Sequence, residues 1–363
     1  MTTADLIAMR MSALRLHEST RTSSVLDTVR WMGALQAQDY ESGLWAIGVR
    51  MKDTTREDIV QAITRREILR TWPMRGTWHF IPSVDVAWMQ RLMASRVMNS
   101  IRKRSADFGF DEPGVSRART VITKTLTGGK SLTRETLIAC LGTAGIDISE
   151  QRGNHLLRRF GNEGLLCNGV TEGKEPTLAL LDEWVPQPRL MDDDEALATI
   201  TLRYFSSHGP ATVSDFTWWT GLTKADALRG IQANGSKLSV ADRNGADFYF
   251  APEIEPATPA ALELLPAFDE HLLGYQCRDH VLEPRHSDNV CPGGNGVFRP
   301  TLVASGLVLG LWRRKEAAKK AQVELQPFAK LPARLGKPID YAASRYAAFL
   351  GKPVSVTAAT PSS

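Results

Sequence analysis

Gln36 and Gln38, separated by Ala37 in the stretch from Trp31 to Tyr40, are the side chains whose type and spacing point most directly to chemistry. On a continuous helix, residues two apart face away from one another. On an extended or sharply bent segment they lie on the same side. The pair can therefore converge on one water only if the preceding helix stops here, and Glu41-Ser42-Gly43 are expected to stop it. An amide cannot ionise, so two glutamines can orient a water or stabilise developing charge but cannot supply a strong base. That suits a reaction whose leaving group is already activated. Asp39 is the rival group: a carboxylate could act as general base or shield a cationic transition state. If the helix continued, Gln36 and Asp39 would share a face and Gln38 would turn away. The competing reading for all three is a solvated side chain or a local helix cap.

Other reactive constellations are weaker. Cys277, His280, His286 and Cys291 lie close in sequence, but without a CxxC or a close His pair the spacing is loose for tetrahedral zinc, and no metal is expected. Gly293-Gly294-Asn295-Gly296 lacks the Lys-Ser/Thr end of a phosphate-binding loop and reads as a turn. No nucleophile elbow is present. The 363 residues, 43% hydrophobic and 23% charged, describe a folded chain of several domains. A net charge of +4 permits nucleic-acid binding without requiring it. Four scattered cysteines point to a reducing compartment, and neither a signal peptide nor a bilayer-crossing run is visible, so the expected location is cytoplasmic.

The elements that must position the glutamines belong to a unit that recurs three times. Each copy reads as amphipathic helices followed by a pair of short strands. In the first, Val25, Leu26, Val29 and Met32 fall at helical spacing after Thr22-Ser23-Ser24, and a hairpin is expected around Pro73 to Gly76. The second opens at Ser131 to Glu135, and its later helix carries His155, Arg158 and Arg159 before Gly164. The third runs through His208-Gly209-Pro210, a helix from Thr223, and strands flanking Asn244-Gly245. Helix, helix, hairpin is the winged-helix plan, which can set one helix in a major groove. After Pro252 the texture changes, with Pro256, Pro259 and Pro266 marking a linker and strands following. The expected class is α+β: three tandem winged-helix units at 1–125, 126–190 and 191–252, a small β-barrel-like domain at 253–353, and a flexible tail at 354–363.

Sequence-independent DNA contacts require Arg and Lys at the phosphates. Arg75 lies at the first hairpin turn beside His79; Arg158 and Arg159 sit where a recognition helix would be; Arg278, His280 and Arg285 decorate a polar loop near the C-terminal strands. Trp72 and Trp78 read as core, and the pair Trp218-Trp219 as one buried and one outward member.

The stretches Ala34 to Trp45, Arg75 to Pro82, His208 to Leu222, Leu264 to Tyr275 and Gly296 to Trp312 resemble the AlkZ-like DNA glycosylases, from about residue 10 to residue 350. That family carries three winged-helix units and a β-barrel. Its signature of Gln, an apolar residue and Gln matches Gln36, Ala37 and Gln38; the related YcaQ branch has Asp at the last position, so Gln38 aligns this chain with the AlkZ branch. The resemblance implies hydrolysis of the N-glycosidic bond of N7-alkylated purines in double-stranded DNA, with water as nucleophile and no cofactor. It also implies kinship with enzymes that unhook interstrand crosslinks or confer self-resistance to DNA-alkylating natural products. A monomer with no membrane partner is expected. The alternative is a winged-helix DNA-binding protein without catalysis, such as a transcriptional regulator; no dimerisation heptad supports it.

Overall fold

Short polar residues placed just ahead of apolar periodic runs start most helices of this chain, as seen in a computed structural model that describes residues 1–172, 175–258 and 260–359. Ser24 caps Val25–Met32, Asp39 caps Tyr40–Gly48, and Thr133 caps Arg134–Thr143. Thr212 with Asp215, and Thr223 with Asp226, form reciprocal capping boxes at Val213–Thr220 and Lys224–Asn234. By packing, the chain divides into two compact units, one made of Met1–Val60 with Leu197–Ser363, the other of Gln61–Ala196.

The second of these begins with the hairpin Ile68–Met74 and Thr77–Pro82. Arg75 and Gly76 form its two-residue turn with φ of 53° and 67°, the left-handed pair that a right-twisted hairpin favours. Farther along come the helices Glu112–Leu126, Arg134–Thr143 and Arg152–Asn162, then the strands Leu166–Asn168 and Thr177–Leu180, with Leu132–Thr133 on the other side of Thr177–Leu180. Their apolar faces meet in one core: Ile122, Leu137, Leu141, Leu156, Phe160 and Leu178, joined by Trp72 and Trp78 as expected of core tryptophans. Gly161 lies so close to the Trp72 ring that a Cβ there would have no room.

In the other unit, the helices Val213–Thr220 and Lys224–Asn234 precede the hairpin Ser239–Arg243 and Ala246–Phe250, which turns at Asn244-Gly245. A five-stranded sheet follows, in the order Glu263–Leu265, Thr301–Ala304, Leu307–Glu316, Ala321–Pro327, Val354–Ala358. Two expectations change here. The sheet is open rather than a closed barrel, because its end strands do not pair with each other. At the Glu263–Leu265 end of the sheet the indoles of Trp45 and Trp312 donate to the carbonyls of Leu264 and Leu265, each at 2.7 Å. The segment expected to fray carries a strand, since helix Gly336–Leu350 returns the chain so that Val354–Ala358 pairs parallel with Ala321–Pro327. Pro259 and residues 360–363 lie outside the described residues. Among the described residues no helix is long and apolar enough to cross a membrane.

Candidate active site

The helix before the glutamine pair ends earlier than its neighbours in sequence suggest. Val25–Met32 stops at Gly33, whose φ of 76° is open to glycine at little cost. Leu35 and Gln36 are extended, and Glu41-Ser42-Gly43, expected to end a helix, lie inside the next one, Tyr40–Gly48. The motif Gln36-Ala37-Gln38 is thus a short non-helical link between two capped helices. Gln36 is buried at 5% exposure and Gln38 is exposed. Asp39 is exposed as well, and its Oδ1 accepts the Ser42 N–H at 2.7 Å, so the structure gives this carboxylate an N-cap task.

The link is fixed from the far end of the chain. The Gln36 backbone N–H donates to Oε1 of Glu270 at 3.0 Å, and the Trp219 indole donates to Oε2 at 3.0 Å. His208 Nε2 lies 3.3 Å from the same Oε2. Glu270, His208 and Trp219 are all but fully buried, at 1%, 0% and 0% exposure. A buried carboxylate needs such donors, because desolvation would otherwise expel its charge. The residue before it, Asp269, caps the turn Glu270–Leu273 and binds Arg50 through both oxygens, at 2.8 and 2.9 Å. Arg50 follows helix Tyr40–Gly48, so the segments flanking the glutamines are tied to the 269–270 turn twice. Next to this cluster, Arg10 lies 3.6 Å from Asp215 and 3.7 Å over the Tyr275 ring. The Tyr275 hydroxyl donates to the His208 carbonyl at 2.8 Å, and Tyr204 stacks on the His208 ring.

Of the residues expected at DNA, Arg75 and Arg158 come together: the Arg158 guanidinium donates to the Gly76 carbonyl at the hairpin tip, at 3.4 Å. Arg159 and His79 do not fit that role as placed. Arg159 is 3% exposed and is held by Glu112 and Glu163, each at 2.7 Å, and His79 is fully buried. A guanidinium already enclosed by two carboxylates has no reach left for a phosphate. His155 is likewise turned inward; burial, with Arg158 and Arg159 nearby, lowers its pKa to about 4. Arg278 is half-buried, its guanidinium 5.2 Å over Trp218 and 4.9 Å over Phe298, while Trp218 is 41% exposed. The expectation of one outward and one buried tryptophan describes this pair. His280 lies 3.4 Å from Arg243, and Arg285 pairs with Glu283 on the surface at 2.7 Å. His286 stacks on Phe328, and among the described residues no three His, Cys, Asp or Glu side chains gather as metal ligands would.

Sequence reasoning missed Glu270 and His208. The available signal was their position in the stretches that carry the family resemblance, but nothing local marked either as belonging to the glutamine pair.

The described residues form a mixed α/β chain in which the glutamine link is held by a carboxylate 234 positions away. The family model described as DNA glycosylase AlkZ-like matches residues 29–349, and the chain belongs to that family. It is 27% identical over 334 residues to a curated protein of Streptomyces sahachiroi named an interstrand DNA cross-link repair glycosylase, a match covering 84% of this chain and 86% of the relative. The fold is similar to the solved structure of Streptomyces sahachiroi DNA glycosylase AlkZ, with a TM-score of 0.79, 23% identity, and coverage of 99% of this chain and 100% of that one.

Proposed function

We propose that this protein hydrolyses the N-glycosidic bond of N7-alkylated purines in double-stranded DNA, with a water held by Gln36 and Gln38 as nucleophile. The observation that carries this reading is the link itself: two amides two residues apart on a non-helical segment whose backbone is anchored by a buried carboxylate. Alkylation at N7 makes the purine cationic, so the base departs with little protonation. The remaining work is to place a water at C1′ and to stabilise an oxocarbenium-like sugar, which fixed dipoles can do. Amides too weak to act on unmodified guanine also spare normal DNA. In this reading the protein is a monomer without a cofactor, and its helices and hairpins act as three tandem winged-helix units. Arg75 and Arg158 at one hairpin tip, with Arg278, His280 and Arg285, supply phosphate contacts. The relative's name, an interstrand DNA cross-link repair glycosylase, supports including crosslinks among the substrates, and self-resistance to a DNA-alkylating natural product is proposed from the family resemblance alone.

The test is single-turnover incubation with duplexes carrying one N7-methylguanine or one N7-linked crosslink. The reading predicts free N7-methylguanine from the first and a base left tethered to the opposite strand from the second, with the strand intact before alkali and no covalent enzyme–DNA adduct trapped by borohydride. Tight binding without release from either duplex would favour the non-catalytic winged-helix regulator.

A further inference from the structure

Glu270 joins the backbone of the glutamine link to two buried side chains from other elements, and the hydrogens in this cluster can be assigned from its geometry. Ser207 has one hydroxyl proton, and it goes to the Arg203 carbonyl at 2.7 Å. The contact between Ser207 Oγ and His208 Nδ1 at 2.8 Å must then be donated by Nδ1–H. His208 Nε2 therefore faces the Glu270 carboxylate either with a second proton or with a lone pair against a lone pair, and the attractive arrangement has one proton shared by the pair. Oε2 thus takes the Trp219 indole and the His208 proton, which leaves Oε1 directed at the Gln36 N–H. A hydrogen bond to its peptide N–H fixes the plane of that peptide and so the direction in which the link presents its side chains.

We propose that Glu270 is the positioning residue for Gln36-Ala37-Gln38, acting through the Gln36 peptide and held in register by Trp219 and His208. This rests on the functional reading above and extends it: the glutamines orient water only while the carboxylate holds the link. Glu270 touches no substrate in this account, and its contribution is alignment rather than charge.

The chemistry of the cluster supplies a test that general damage would not mimic. In Glu270→Gln the amide has one acceptor end and one donor end. With its oxygen toward Gln36, its NH2 meets the Trp219 N–H; reversed, its NH2 meets the Gln36 N–H. Either way a buried donor faces a donor. Adding Trp219→Phe removes that conflict: the amide oxygen can accept the Gln36 N–H while the NH2 donates to a neutral His208 Nε2. The inference predicts that E270Q slows single-turnover release of N7-methylguanine by about 100-fold with DNA affinity within about threefold of wild type, a loss confined to the chemical step. It predicts that W219F/E270Q regains about tenfold of that loss, a compensating coupling between neighbours. Release by E270Q within about threefold of wild type would overturn it, as would a double variant no faster than E270Q or a parallel loss of DNA affinity. Should E270Q fail to fold by circular dichroism, the double variant decides alone: release within about tenfold of wild type supports the inference, and absence of release overturns it. If wild type itself releases no base, the functional reading has failed instead, and that result is distinct from every variant outcome above.

Discussion

Gln36 and Gln38 differ in setting although they share a link: one is buried at 5% exposure and the other is exposed. In the proposed mechanism both amides hold the water, whereas the Asp39 carboxylate is occupied with the Ser42 N–H. Two outcomes separate these groups. Asp39→Asn keeps a capping oxygen and should leave base release within about threefold of wild type. Asp39→Ala should lower unfolding free energy by about 1 kcal/mol, read by urea denaturation, without a matching loss of release per folded molecule. A loss of about 100-fold in Asp39→Asn would restore the carboxylate as a catalytic group. At this scale the pair was legible because residue type and spacing are local. Glu270 was not, since it meets Gln36 across 234 positions of sequence and no periodicity encodes such a contact.

Elements were legible where their ends carry polar signals. Ser24, Thr133 and Thr223 start helices, and Asn244-Gly245 turns a hairpin, all as their chemistry dictates. What could not be read was which side of a basic helix faces in. Helix Arg152–Asn162 carries His155, Arg158 and Arg159, and only the middle one is exposed, because Ser105, Glu112 and Glu163 satisfy the other two. Charged residues on a helix read as outward by default, and the partners that turn them inward lie on other segments. The two arginines should therefore behave oppositely. Arg158→Ala should weaken DNA binding roughly uniformly across sequences, reduce the salt slope by about 1, and leave stability within about 0.5 kcal/mol. Arg159→Ala should destabilise the protein by about 1.5–3 kcal/mol, since it removes one of the two arginines, with Arg119, that pair with the largely buried Glu163. Equal effects on DNA affinity, measured at several salt concentrations, would contradict the assignment. Gly161→Ala, which drives a methyl into the Trp72 ring, should cost about 1–3 kcal/mol in the same denaturation experiment.

For the molecule as a whole, the sequence indicated an α+β chain but not the way it folds back on itself. Met1–Val60 packs with Leu197–Ser363, and the return depends on buried ion pairs such as Arg50 with Asp269, and Arg21 and Arg345 with Glu263, which join residues far apart in the chain. The barrel expectation failed because patterning indicates which residues are extended but not which strands pair, and the strand order leaves Glu263–Leu265 and Val354–Ala358 at opposite ends of the sheet. Both compact units also hold a histidine in its neutral form. Burial lowers the pKa of His271 to about 4, and burial with nearby arginines does the same to His155. Each binds a proton more readily when unfolded, so this stability is fully present above about pH 6.5 and is lost as pH falls toward 4. Unfolding free energy should accordingly decline between pH 7 and pH 5, with proton uptake on unfolding, and a flat profile without uptake would contradict the burial of these rings. The chemistry of the glutamine link is read out by single-turnover release of N7-methylguanine from duplex DNA by wild type, Gln36→Ala and Gln38→Ala, with DNA affinity measured for each. The account predicts that each variant loses about 100-fold or more in release while binding DNA nearly as wild type does; release at the wild-type rate by either variant would contradict it.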